Sequence, residues 1–252
     1  MPRILLLLLV LALPATATGA PCPDGALGTA RVLTVDAAAT PRVGRKHFPT
    51  TLALEPREVV LTFDDGPWPG PTDRVLDALQ RECVRASFFL LGRNAVKFPA
   101  LARRALAEGH TVAHHTHSHP LLTGMSVERA EAEIDRGFAA VDTALYGRAG
   151  SPPTTPFFRF PGFASSPALL ERLARRGIVV FGADLWASDW IPMTPAHELE
   201  LVLRRLTASG GGIVLFHDIH AQTAAMLPEF LRELKRRGYR VVHVVPAGQF
   251  AR

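Results

Sequence analysis

From residue 58 onward the chain alternates between two patterns of apolar and polar positions. Short, nearly continuous apolar runs lie at Glu58–Phe63, Ala86–Leu91, Thr111–His114, Phe157–Phe160, Ile178–Ala183, Ile213–Phe216 and Arg240–Val245. Runs of this length, rich in Val, Ile and Phe, predict strands buried on both faces. Between them apolar residues recur every three or four positions. That spacing predicts helices over Asp73–Glu82, Val96–Glu108, Ser126–Tyr146, Pro167–Arg176, Pro195–Thr207 and Ala224–Arg237. Ser166-Pro167 and Thr194-Pro195 are N-cap and first-turn proline starts, and Gly109, Gly177 and Gly238 stand just past helix ends. Buried strands alternating with helices predict an α/β fold with parallel strands. A (β/α)7-type barrel, closed or nearly so, accounts for a single core at this length.

Residues 21–57 differ. They are rich in Pro, Gly, Ala and Thr and read as an extended N-terminal segment with a short strand at Arg31–Val35. Ahead of them Met1-Pro2-Arg3 is followed by an unbroken apolar run, Ile4–Leu13, then Pro14 and the small residues 15–20. A positive end, a short apolar stretch and an Ala-x-Ala site at Ala15 and Ala17 are the layout of a signal peptide over residues 1–20. The run is well short of the roughly 20 residues that span a bilayer. The expected location is therefore secreted or periplasmic, with no stable membrane insertion. Residues 58–252 form the expected catalytic domain. Export gives Cys22 and Cys83 an oxidising compartment, where they either bridge or remain free thiols.

Composition narrows the classes. The chain has 252 residues, 48% of them hydrophobic, which excludes a disordered tail, and two Cys, too few for a disulfide scaffold. The net charge of +5 tolerates anionic partners. No basic stripe with interleaved aromatics appears, so nucleic acid is not an expected partner.

In folds of this kind the segments after the strand ends carry the chemistry. The first run ends in Thr62-Phe63-Asp64-Asp65-Gly66-Pro67, where adjacent carboxylates need a cation to compensate them. The third ends in His114-His115-Thr116-His117-Ser118-His119-Pro120, and five of the ten histidines lie in residues 110–119. Imidazole suits Zn²⁺ and similar ions, and two His with one carboxylate leave coordination positions open, as catalytic sites do. The fourth run carries Arg159 beside Phe160-Pro161-Gly162, an arginine placed to orient a carboxylate. The fifth leads to Asp184-Leu185-Trp186-Ala187-Ser188-Asp189-Trp190, with acids to orient a histidine and indole faces to stack on sugars. The sixth ends at Leu215-Phe216-His217-Asp218, where His217 is a candidate general acid.

Taken in order, Thr62–Gly66, His115–Pro120, Arg159–Gly162, Asp189-Trp190 and Leu215–Asp218 resemble the motifs of the polysaccharide deacetylases, the NodB-homology group or carbohydrate esterase family 4. The resemblance runs from about residue 58 to 246. It implies a distorted barrel of βα units with an open groove. It implies that Asp65, His115 and His119 bind a divalent metal, usually Zn²⁺ and sometimes Co²⁺. Asp64 is implied as general base, Arg159 as the residue holding it, and His217 as general acid. The Gly162 N–H is implied as an oxyanion donor, and Trp190 and Leu215 as walls of the acetyl pocket. Two departures stand out. The family usually has Tyr where this chain has Gly162. Trp186 occupies the place of the Asp that usually pairs with the acid histidine, which leaves Asp184 or Asp189 for that role. The expected reaction is hydrolysis of N-acetyl groups on a glycan such as peptidoglycan or a chitin-like polymer, with Trp68, Phe163 and Trp190 as stacking surfaces. Alternatives are an O-acetyl esterase on a polymer such as acetylxylan and a degenerate glycan-binding protein. Oligomeric state is not readable.

Overall fold

Strand β3 (Glu58–Asp64) is buried at every position. In the computed structural model, which describes residues 22–248, it is the hub of a ten-stranded sheet. Along one edge it pairs with β9 (Gly212–His217), from Val59 opposite Gly212 to Asp64 opposite His217. Its other edge is shared. Its first residues pair with β10 (Arg240–Pro246), and Thr62–Asp64 pair with β4 (Ser87–Leu90). The curve continues through β5 (Thr111–His114), β6 (Phe157–Phe158) and β7 (Val179–Phe181), while β8 (Leu185–Trp186) lies beside β9. All pairings are parallel, so the residues following β3, β5, β6, β8 and β9 emerge at one end. The expected α/β barrel of parallel strands is present and distorted.

The barrel is open at one seam, between β7 and β8, and hydrogen bonding explains why. The edge of β7 is taken by β2 (Arg42–Val43), and Gly182 N–H donates to the Val43 carbonyl at 2.6 Å. The carbonyls of Phe181 and Gly182 accept from the Arg159 guanidinium at 3.3 and 2.9 Å. Backbone groups that would join β7 to β8 are already satisfied.

Among the described residues seven α-helices cover the outside: α1 (Pro71–Arg81), α2 (Gly92–Lys97), α3 (Pro99–Ala107), α4 (Val127–Tyr146), α5 (Pro167–Arg175), α6 (Pro195–Ser209) and α7 (Ala221–Arg236). Ser126, Ser166 and Thr194 cap α4, α5 and α6. The single helix expected over Val96–Glu108 is two, α2 and α3. Proline disfavours helical geometry in the residue before it, and Phe98, which precedes Pro99, adopts φ −129°, ψ 57°. The two-residue strands β2 and β8 are too short to leave a periodic signal.

Alternation along β3 sorts the core. Val59, Leu61 and Phe63 pack under helices α1 and α7 with residues such as Leu76, Leu227 and Phe230. Val60 faces the barrel interior with Phe89, Ala113, Phe157 and Ile213. Thr62 and Asp64 share that inner face, which sets Asp64 at the barrel mouth.

The N-terminal segment, described from Cys22 to Arg57, adds strands to the same sheet. Strand β1 (Thr29–Val35) lies parallel to β10, and Val35, Val43 and Leu52 join the interior cluster. Cys22 and Cys83 are bridged across 61 residues of sequence, tying this segment to the end of α1. A closed loop of that length restricts the unfolded chain by about 4 kcal/mol in the loop-entropy picture. The signal peptide expected over residues 1–20 lies outside the described residues. Among the described residues no helix is long and apolar enough to cross a membrane.

Candidate active site

Asp64 is the last residue of β3 and is almost fully buried. An ionised carboxylate there needs a charged partner, and Arg159, wholly inaccessible, supplies it. Its Nη1 donates to Asp64 Oδ1 at 2.7 Å and to Thr62 Oγ1 at 3.0 Å. With the two contacts to Phe181 and Gly182, and Phe89 stacked 4.3 Å beneath the guanidinium, the side chain is fixed on every side. Asp64 is left with Oδ2 directed toward His115, 3.7 Å from its Nε2.

The chain turns sharply after Asp64. Asp65 adopts φ 75°, and its carbonyl accepts from Asn94 Nδ2 at 2.8 Å. Gly66 suits this turn because a Cβ there would collide with the Asp218 carboxylate. Asp218 is itself buried and accepts from Thr72 Oγ1 at 2.6 Å. Burial, opposed by the Thr72 hydrogen bond and aided by Asp65 and Asp64, pushes its carboxyl up to about 7.

Asp65, His115 and His119 converge, each offering one ligand atom within 4.8 Å of the others. Asp65 Oδ1 lies 3.6 Å from His115 Nε2 and 3.5 Å from His119 Nε2. That oxygen is buried with no hydrogen-bond partner. His115 Nδ1 faces the Arg159 carbonyl at 2.8 Å, which orients the ring and leaves Nε2 for a ligand. Burial, only partly offset by Asp64 and Asp65, lowers the His115 pKa and favours the neutral, ligating ring. An orphaned carboxylate oxygen between two inward-facing imidazole nitrogens fits a divalent cation. Of the other histidines in this stretch, His114 packs against Phe138 and burial holds its pKa near 3, while His110 Nδ1 accepts from the Ala86 N–H at 3.1 Å.

Across the mouth, His217 ends β9. Its Nδ1 meets Asp189 Oδ1 at 2.8 Å, and its own N–H donates to Asp189 Oδ2 at 2.6 Å. Thr223 donates to the same Oδ2 at 3.0 Å. Burial opposes charge on the ring, but the Asp189 hydrogen bond and charge, with Asp64 and Asp65 behind them, push the His217 pKa up to about 9. The imidazole is therefore protonated at neutral pH. Asp184, the other acid offered as a partner for His217, is elsewhere. It accepts from the Arg45 and Ile213 N–H groups and from Thr51 Oγ1, each at 2.8 Å, and so pins the N-terminal segment to the start of β9. Its pairing with His217 is corrected accordingly: the three donors use it up.

A cavity of about 390 Å³ joins these groups and is lined further by Phe160, Gly162, Phe163, Trp186, Trp190 and Leu215. Gly162 has φ 56°. Trp190 is half exposed and meets the His217 ring edge-on at 5.8 Å. His47, which the sequence did not single out, stacks on Phe163 at 3.7 Å. His220 also faces the cavity. Glu198 was missed as well. It is fully buried behind this site, and burial, reinforced by Asp189, pushes its carboxyl up to about 7. Nothing in a helical stretch of mixed polarity marks such a residue.

The polysaccharide deacetylase family model matches residues 52–181, half of the chain. The chain belongs to the polysaccharide deacetylase family. It is 33% identical over 239 residues to a peptidoglycan-N-acetylglucosamine deacetylase of Listeria monocytogenes, covering 92% of this chain and 48% of that protein. A chitooligosaccharide deacetylase of Rhizobium leguminosarum is 46% identical over 163 residues, covering 64% of this chain and 72% of that protein. Among solved structures, a peptidoglycan deacetylase of Bdellovibrio bacteriovorus superposes with a TM-score of 0.78 at 31% identity, covering 93% of this chain and 64% of that one. The chain thus spans about half the length of the Listeria relative.

Proposed function

We propose that this protein is an exported, metal-dependent hydrolase that removes N-acetyl groups from a polysaccharide of N-acetylglucosamine type. The observation that carries the reading is the placement of a carboxylate and an imidazole on one ligand cluster. Asp64 is hydrogen-bonded by the Arg159 guanidinium on one side, and His217 is held protonated by Asp189 on the other. A base and an acid facing each other across a cation site suit the hydrolysis of an amide, whose amine leaves only when protonated.

Asp65, His115 and His119 are the residues that would hold the metal. Zn²⁺ or Co²⁺ bound there supplies Lewis-acid polarisation of the acetyl carbonyl and makes water a stronger nucleophile. Asp64 Oδ2 accepts the proton as the water oxygen bonds to the acetyl carbon. Arg159 prevents the carboxylate from rotating away. The Gly162 N–H donates to the oxygen that gains charge, a contact whose loss costs about 3 kcal/mol in comparable sites. His217 gives its proton to the sugar nitrogen as the C–N bond breaks, releasing acetate and a free amino sugar. Leu215 and Trp190 wall the space for the acetyl methyl group. Export rests on the layout of residues 1–20.

The test is acetate release from N-acetylglucosamine oligomers and from peptidoglycan by the metal-loaded protein. Release from either supports the reading. Release only from O-acetylated xylan would move the assignment to an ester.

The His217–Asp189 pair has its own signature. Protonated His217 is lost as pH rises through about 9, so the alkaline limb of kcat/KM is expected there. Asp189→Asn removes the charge that raised it, and the limb is expected to move toward the ordinary histidine value of 6.5. A pH profile from 5 to 10 checks this. An unchanged limb in Asp189→Asn removes His217 from the acid role.

A further inference from the structure

Two arms leave the ligand cluster, and their chemistry differs. The cavity holding Phe163, Trp186 and Trp190 is aromatic, with no Lys or Arg in its lining. On the other side of Asp65 and His119 a second cavity, of about 610 Å³, is lined by Trp68, Arg93, Asn94 and Lys97. Asp65 is the only acid in that lining, and the metal would neutralise it. Arg93 and Lys97 are spaced i, i+4 on α2, so both project from one face. Like charges in that arrangement repel. Some other arginines find acids at this spacing, as Arg104 does with Glu108, Arg175 with Glu171 and Arg237 with Glu233. Among the described residues Arg93 and Lys97 have no acidic partner within ion-pair distance, and both are exposed. Lys97 Nζ is steered to the cavity by aromatic faces, 5.2 Å from the half-exposed Trp68 ring and 5.1 Å from Phe98.

We propose that this arm is a subsite for a carboxylate-bearing sugar, next to the sugar whose N-acetyl group lies at Asp65, His115 and His119. The inference rests on the deacetylase reading and gives it a substrate class: a glycan in which the neighbour of the reacting N-acetyl sugar is anionic, rather than a neutral homopolymer. The Trp68 face takes the ring, and Arg93 and Lys97 take the carboxylate. A neutral sugar uses the indole but leaves two unpaired cations facing it. The carboxylate has two possible sources, an acid on the sugar's own ether arm or the acids of a peptide attached there.

The experiment compares wild type with the Arg93→Gln/Lys97→Gln double variant on three substrates. These are neutral N-acetylglucosamine oligomers, peptidoglycan strands stripped of peptide, and strands carrying it. The double variant is expected to raise KM on anionic strands about tenfold relative to the change on neutral oligomers, the size expected for losing two exposed charge-assisted contacts. The change in kcat is expected to be the same on all three. Wild-type KM on anionic strands is expected to rise with salt. An effect confined to peptide-bearing strands assigns the carboxylate to the peptide, and an effect on both assigns it to the sugar. Equal KM changes on neutral and anionic substrates, or none on any, overturn the proposal. Calorimetric binding of stripped strands to the same proteins separates the two readings. Binding that weakens in the double variant while wild type releases no acetate keeps the subsite and discards the deacetylase. Binding that is indifferent to the double variant discards the subsite whatever the acetate result.

Discussion

Asp64→Asn is expected to lower kcat on an N-acetylated glycan by about 10²–10⁴-fold, the range for removing a positioned general base. The substitution keeps the shape of the side chain and an oxygen for Arg159, so Asp65, His115 and His119 should still bind one metal per chain. What it removes is the capacity to take a proton. It also leaves the Arg159 guanidinium, wholly buried, without a counter-charge. Breaking a buried pair from one side typically costs about 3–5 kcal/mol, and the retained hydrogen bond places this case at the lower end. Chemical denaturation and single-turnover acetate release on the same preparation separate the two effects. Activity above a tenth of wild type, in a folded and metal-loaded variant, removes Asp64 from the base role.

His115→Ala is expected to abolish metal retention and reduce acetate release by on the order of 10³-fold or more, since Lewis-acid polarisation is worth several kcal/mol. The residue is decisive because its two nitrogens serve two neighbours. Nε2 points at the orphaned Asp65 oxygen, and Nδ1 is engaged by the Arg159 carbonyl. His119 is about a third exposed, so its replacement is the milder change. Metal content after dialysis is the direct readout. Treating wild type with a chelator and restoring Zn²⁺ or Co²⁺ should reproduce and then reverse the loss. A His115→Ala protein that still carries one metal per chain and turns over normally excludes the three-ligand site.

Much of this was legible in the sequence because the chemistry sits at strand ends. Apolar runs located β3, β5 and β9, and a parallel arrangement brings their following residues together without knowledge of any side-chain packing. Asp64, Asp65, His115, His119 and His217 could be named that way. What stayed hidden depends on distances between segments far apart in the chain. Asp184 and Asp189 are both acids after the same strand, and only the hydrogen bonds of Arg45, Thr51 and Ile213 distinguish the structural one. Asp218 looked like the tail of a motif, yet it occupies the space that a side chain at residue 66 would need. The open seam was equally unreadable, because β2 and β8 have two residues each and carry no period. Nothing in the sequence pattern singles out Arg93 and Lys97. Their interest lies in the acids that are not near them.

Strand β1 has one neighbour, β10, although about 200 residues of sequence separate them. As the chain leaves the ribosome, β1 therefore has no strand to pair with until β10 has been made. Synthesis from the N-terminus cannot complete the sheet stepwise, and pairing at such separation is slow to form. The sheet of such a polypeptide stays unfinished until β10 has been made. Until then the burden of protection falls on whatever escorts the nascent protein. Trimming β10 from the C-terminal side would release the N-terminal strand along with it.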